Sequence, residues 1–109
     1  MRFGNTILDE LADFMHARIV LTAAELDFFT ALDQHPCTAE ELADKLHLDT
    51  RATTRLLDCL TAFDMLAKHE ACYSLTKSGA VLSARHQETI LPMLLHMNAM
   101  WDNWSRLTD

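Results

Sequence analysis

The side chains with which this chain could do proton or metal chemistry are six histidines, three cysteines and sixteen carboxylates. Their spacing assembles no recognisable catalyst. His16, His35, His47, His69, His86 and His96 are scattered. No two stand three or four apart on one predicted helix, and none is spaced with a cysteine as a zinc site requires. Cys37, Cys59 and Cys72 are odd in number, lack C-x-x-C spacing and have no basic neighbour placed to stabilise a thiolate. They are expected to be small, reduced, buried thiols of a cytoplasmic protein. Asp9, Glu10 and Asp13 lie on the polar edge of a helix, where solvation accounts for them. No G-x-S-x-G occurs, and the two glycines form no loop that could cradle a phosphate or nucleotide. The chain alone is expected to hold no catalytic residue, no cofactor and no metal.

The elements that would position any site are better specified. The 109 residues are half apolar with only two Gly and two Pro, which favours one mainly α domain, with or without an appended helix. A net charge of −7 makes nucleic acid and anionic membrane poor partners. No apolar run approaches the ~20 residues of a membrane span, and nothing resembles a targeting peptide.

Asn5 or Thr6 can cap a first helix running to about residue 22. Its Ile7, Leu8, Leu11, Phe14, Met15, Ile19 and Leu21 cover more than one face. Burial on two sides is expected, one against the chain's own core and one against a partner. A second helix is predicted over residues 23–32 and is ended by Gln34-His35-Pro36. Thr38-Ala39-Glu40-Glu41 reads as a capping box opening a third helix to about residue 46. Asp49 caps a fourth, residues 50–63, with Leu56, Leu57, Leu60 and Phe63 inward. Residues 65–69 and 72–75 make a hairpin about Glu70-Ala71, and Thr76 caps a short helix through Leu82.

That order is a winged helix-turn-helix with a small hairpin wing and additional N- and C-terminal helices. Its recognition helix offers Arg51, Thr53, Thr54 and Arg55, and its wing offers Lys68, His69 and Glu70. Three fixed cations among Glu40, Glu41, Asp44, Asp49 and Asp58 leave a thin phosphate footprint, so no nucleic-acid partner is expected.

A last helix is predicted from residue 89 to the end, with Pro92 in its first turn. Ile90, Leu94, Met97, Trp101 and Trp104 fall on one stripe. Met97, Trp101 and Trp104 are expected on its buried side against the first helix of the same or a partner chain, with Trp104 as core. His96, Asp102, Asn103 and Arg106 are expected on the wetter side.

Four blocks in order, L-T-A-A-E-L-D-F-F-T-A-L, C-T-A-E-E-L-A-D-K-L-H-L-D, T-R-L-L-D-C-L-T-A-F-D-M-L and Y-S-L-T-K-S-G, resemble the N-terminal dimerisation domain of S-adenosylmethionine-dependent O-methyltransferases of plant phenolic and bacterial polyketide pathways. The final M-W-D-N-W-S-R-L is similar to the family's helix entering the catalytic domain. The resemblance implies a winged-helix dimerisation domain over residues 1–88. It also implies a long helix, 89–109, leading towards a catalytic domain absent from these residues. It implies an intertwined homodimer, and the excess apolar surface of the first and last helices puts Leu8, Leu11, Met15, Ile19 and Leu94 at the expected interface. Met97 and Trp101 would wall the pocket of a small-molecule acceptor. S-adenosylmethionine would belong to the parent enzyme and not to this chain.

Asp27, His47 and Asp64 stand where the family commonly has Gly to end a helix in a left-handed conformation, so local adjustment is expected there. The alternative reading, a stand-alone winged-helix transcriptional regulator, has the acidic charge and the Trp-rich last helix against it.

Overall fold

The computed structural model describes residues 3–109. Asn5 starts the fold: its backbone is extended and its Oδ1 accepts from the amides of Ile7 and Leu8 at 2.9 and 3.1 Å. That cap opens helix α1, Thr6–Glu25. The helix outruns its predicted end because Ala23, Ala24 and Glu25 are strong helix formers and the Leu26 amide still donates to Thr22. The reversal waits for Asp27, whose φ of 60° is left-handed. Helix α2, Phe28–Gln34, therefore begins five residues later than residue 23, where the sequence placed it.

Strand β1, Cys37–Thr38, leads into α3, Ala39–Leu46, through the expected capping box. The Glu41 amide donates to Thr38 Oγ1 at 3.2 Å, and the Thr38 amide donates to Glu41 Oε1 at 3.1 Å. His47, left-handed at φ 59°, ends α3. Asp49 then accepts from the Ala52 amide at 2.8 Å and opens α4, Thr50–Ala62. Asp64, at φ 61°, turns the chain into the hairpin of β2, Leu66–His69, and β3, Cys72–Leu75. Glu70 and Ala71 both have positive φ. Such a turn suits the right-handed twist of the strands even without glycine. Strand β1, which the sequence did not reveal, pairs antiparallel with β3, giving the order β1-β3-β2.

Thr76 caps a single helical turn, α5, Lys77–Ala80, which stops short of residue 82. The last helix is not continuous: α6, Leu91–Ala99, and α7, Trp101–Ser105, are separated at Met100. The Met100 amide is shared between the carbonyls of His96 and Met97, each at 3.2 Å, which tightens the ladder there.

The core lies where α2, α3, α4 and the sheet meet: Phe28, Phe29, Leu32, Leu42, Leu57, Leu60, Leu66 and Tyr73 are buried. Each such side chain contributes about 1.5–3 kcal/mol of burial before chain entropy is set against it. α1 and α6 pack on each other beside this core, with Ile19 and Leu94 half-buried against it. The architecture is the winged helix with terminal helices that the sequence implied.

Candidate functional site

α1 is a helix of two halves. From Ile19 onward it is seated on the chain's own core. Its first half presents Ile7, Leu8, Leu11 and Phe14, which are 68%, 51%, 63% and 60% exposed. Ile7, Leu11 and Phe14 follow at i, i+4 and i+7, so they form one stripe with Leu8 beside it. Four large apolar side chains contiguous on a helix make an exposed apolar patch, unlike single exposed leucines. The sequence names all four among the apolar residues of this helix but places only Leu8 and Leu11 of them at the expected interface, although the same spacing carries Ile7 and Phe14.

The other expected contact residues lie along clefts that flank α1. Met15 and Ile19, with His16, Cys59 and Phe63, line a cleft of about 270 Å³ between α1 and α4. The imidazole of His16 stacks on Phe63 with ring centres 3.8 Å apart. Leu94 and Met97 line an apolar groove of about 300 Å³ between α1 and α6, together with Ala17, Val20, Leu21 and Leu82. Met97 is exposed at this groove, one turn before Trp101. Trp101 is half-buried, its ring 4.9 Å beneath the guanidinium carbon of Arg18 on α1.

Trp104 corrects the sequence reading. It is 61% exposed on this chain rather than part of its core. Trp104 lies three residues beyond Trp101 in α7, and every residue from Asp102 to the end of the chain is exposed. Met97 is likewise exposed, so of the three only Trp101 is packed against α1. His96, Asp102, Asn103 and Arg106 are exposed, as their side of the helix implied.

The winged-helix face has its own polar cluster. Tyr73 Oη donates to Asp58 Oδ1 at 2.5 Å, and Lys68 Nζ lies 3.3 Å from the same oxygen and 5.1 Å from the tyrosine ring centre. The Tyr73 hydrogen bond, helped by Lys68, holds the Asp58 carboxyl below the usual carboxylate range. Burial, then the Asp58 hydrogen bond, pushes the Tyr73 hydroxyl up. Lys68 is raised by its contacts with Tyr73 and Asp58. The wing's lysine is thus paired at the surface with Asp58 of α4, whose carboxylate offsets its charge beside the cationic footprint of Arg51 and Arg55.

Among the described residues no group of three or more His, Cys, Asp or Glu could hold a metal ion. Their helices include none long and apolar enough to cross a membrane. The three cysteines are free thiols, and burial pushes that of Cys37 up, away from reactivity.

A family model described as the O-methyltransferase dimerisation domain matches residues 9–85. A human relative, a probable bifunctional dTTP/UTP pyrophosphatase/methyltransferase protein, is 32% identical over 108 residues, covering 97% of this chain and 17% of that protein. An O-methyltransferase family protein from Burkholderia thailandensis superposes with a TM-score of 0.83 at 24% identity, over 98% of this chain and 33% of its own. Human N-acetylserotonin methyltransferase, in complex with SAM, gives 0.80 at 21% identity, over 100% and 35%. NcsB1, an O-methyltransferase from neocarzinostatin biosynthesis in complex with S-adenosyl-L-homocysteine, gives 0.73 at 27% identity, over 80% and 29%. The chain thus spans about a third or less of the length of each of these proteins, from 17% of the human pyrophosphatase/methyltransferase protein to 35% of N-acetylserotonin methyltransferase.

Proposed function

The chain belongs to the O-methyltransferase dimerisation domain family, and from that premise we propose that it joins two subunits of an S-adenosylmethionine-dependent O-methyltransferase acting on a small-molecule hydroxyl. The observation that carries this reading is the bare stripe of Ile7, Leu8, Leu11 and Phe14 on α1. A second copy, related by a two-fold axis, brings the same self-complementary stripe to cover it. Leu8, Leu11, Met15, Ile19 and Leu94 are the proposed contact residues. Ile19 and Leu94 already rest on the chain's own core and stiffen the base of the interface. Leu8 and Leu11 supply fresh apolar area, about 1.5–3 kcal/mol each when fully removed from water, set against the cost of association.

In this reading residues 1–88 are the dimerisation unit, and 89–109 lead from it towards the catalytic domain. Met97 and Trp101 wall the acceptor pocket, since they stand at or beside an apolar groove of the kind that holds small molecules. The described residues do not fit the cofactor. Gly79 is packed beneath the Met65 carbonyl, and Gly4 sits in the exposed lead into α1, so neither opens a backbone cradle for it. S-adenosylmethionine is assigned to the rest of the parent enzyme, and this chain's part is association and pocket walls. Free thiols suit a reducing cytoplasm.

A transcriptional regulator is not favoured, because Lys68 is held by Asp58 and the chain carries a charge of −7. The test is light scattering at micromolar concentration. A dimer is expected, and a monomer there overturns the proposal.

A further inference from the structure

Arg18 connects three parts of the molecule. Its Nε donates to Thr22 Oγ1 at 3.1 Å, one turn along α1. Thr22 Oγ1 in turn donates to the Arg18 carbonyl at 2.7 Å, so the hydroxyl that receives the guanidinium is itself fixed. The Arg18 Nη2 donates to Asn98 Oδ1 at 2.7 Å, near the end of α6. The guanidinium then lies over the ring of Trp101, at the start of α7, with its central carbon 4.9 Å from the ring centre. Asn98 and Trp101 stand on opposite sides of the Met100 break. One planar side chain anchored to α1 therefore spans the break and touches both helices. Glu25 approaches the same guanidinium only at 3.9 Å and is mostly solvated, so it adds little.

The arrangement uses what separates arginine from lysine. A guanidinium donates along its edge in two directions while its face stacks on an aromatic ring, whereas an ammonium is a single point charge. The helix is interrupted at Met100, so the α6 ladder alone does not hold the Trp101 indole. Arg18 supplies the missing constraint. We propose that Arg18 is a positioning residue that fixes the Trp101 indole relative to α1 and thereby sets the fit of the acceptor. The step from Trp101 to acceptor rests on the pocket-wall reading above, whereas the step from Arg18 to Trp101 does not.

The experiment separates these two steps. Trp104→Phe leaves Trp101 as the chain's one indole, and its emission and acrylamide quenching then report its cover. Adding Arg18→Met is expected to shift that emission to the red and raise the quenching. Arg18→Lys, which keeps charge but loses the fork, is expected to fall between. Unchanged Trp101 emission in a folded Arg18→Met protein overturns the proposal. If Arg18→Met does not fold, Asn98→Ala breaks the same bridge from the other side, and unchanged emission there overturns it equally.

In the methyltransferase containing this chain, Arg18→Met is expected to raise KM for the acceptor about three- to tenfold, the scale of one partly buried cation–π contact. KM for S-adenosylmethionine and kcat are expected to hold, and Arg18→Lys to rescue part of the loss. Equal changes in both KM values would mean a general structural role and overturn the specificity step. An intact protein without methyl-transfer activity would instead refute the proposed function and leave the fluorescence result standing.

Discussion

A Cβ placed on Gly79 would be driven into the backbone carbonyl oxygen of Met65. That carbonyl accepts from the Thr76 amide at 3.2 Å, Thr76 Oγ1 donates to the Asp64 carbonyl at 2.6 Å, and the Gly79 amide donates back to Thr76 Oγ1. The bare Cα of α5 is thus pressed into the junction where α4 gives way to the wing. The obstacle is backbone, which cannot rotate aside.

Gly79→Ala is therefore expected to destabilise the fold by about 3 kcal/mol, the upper end of overpacking costs. Urea unfolding measures it. A midpoint equal to that of the parent chain would show that α5 is free to move away.

His47 sits at φ 59°, Asp27 at 60° and Asp64 at 61°, each ending a helix. A left-handed conformation costs a side-chain-bearing residue roughly 1–2 kcal/mol, less for Asp, which bonds locally to its own backbone. His47→Gly is expected to stabilise the domain by about 0.5–1 kcal/mol, after the extra freedom that glycine gains in the unfolded chain is subtracted. Asp27→Gly and Asp64→Gly are expected to gain less. A lower thermal midpoint for His47→Gly would mean that the imidazole makes a contact worth more than the strain.

These positions also mark what a sequence discloses. Signals confined to a few residues were legible: the Thr38–Glu41 box, the Asp49 and Thr76 caps, the hairpin about Glu70-Ala71 and the left-handed helix ends at Asp27, His47 and Asp64. Signals that depend on distant partners were not. Strand β1 is two residues long and exists because β3 lies beside it, pairing Cys37 with Tyr73 and Thr38 with Cys72. The Met100 break has no Gly or Pro to announce it, and the spacing of Trp104 does not reveal that residues 102–109 are exposed on this chain. The Arg18–Asn98 bond joins residues 80 apart, and nothing near either one reveals it. At the proposed interface the apolar stripe was readable from its spacing. Which of its members are bare follows only from how far α1 runs beyond the body of the fold.

Tyr73→Phe removes the donor that holds Asp58 below the usual carboxylate range. The expected cost is about 1 kcal/mol, because Asp58 is half solvated and keeps Lys68. The sign with pH follows from the lowered value. The stabilisation is fully present above the ordinary aspartate pKa of about 3.9 and is lost as pH falls through the lower folded value. Glu41, lowered by its bond from the Thr38 amide, acts in the same direction. Acid unfolding of Tyr73→Phe should therefore be less steep below about pH 4 than that of the parent chain. Carbon-detected NMR of the Asp58 carboxyl checks the cause directly, with its titration moving up in the variant. An unmoved titration would sink this account.

The interface reading makes its sharpest demand at Leu11 and Phe14. Both are largely exposed on a single chain, so replacing them does not disturb the core. Substitution of an exposed residue away from special features changes monomer stability by about 0.5 kcal/mol or less. A carboxylate in the middle of an apolar dimer face, by contrast, is buried there without a partner, and acidic Asp9, Glu10 and Asp13 on the same helix add repulsion. Leu11→Asp and Phe14→Asp are each expected to weaken association by 2 kcal/mol or more, roughly a thirtyfold rise in dimer Kd, as loss of a central apolar anchor does. Helicity by circular dichroism should stay that of the parent chain. Sedimentation equilibrium over a concentration series reads the constant. Dimers of undiminished affinity in both variants would show that the two subunits meet elsewhere, and the bare stripe of α1 would then belong against the rest of the parent enzyme.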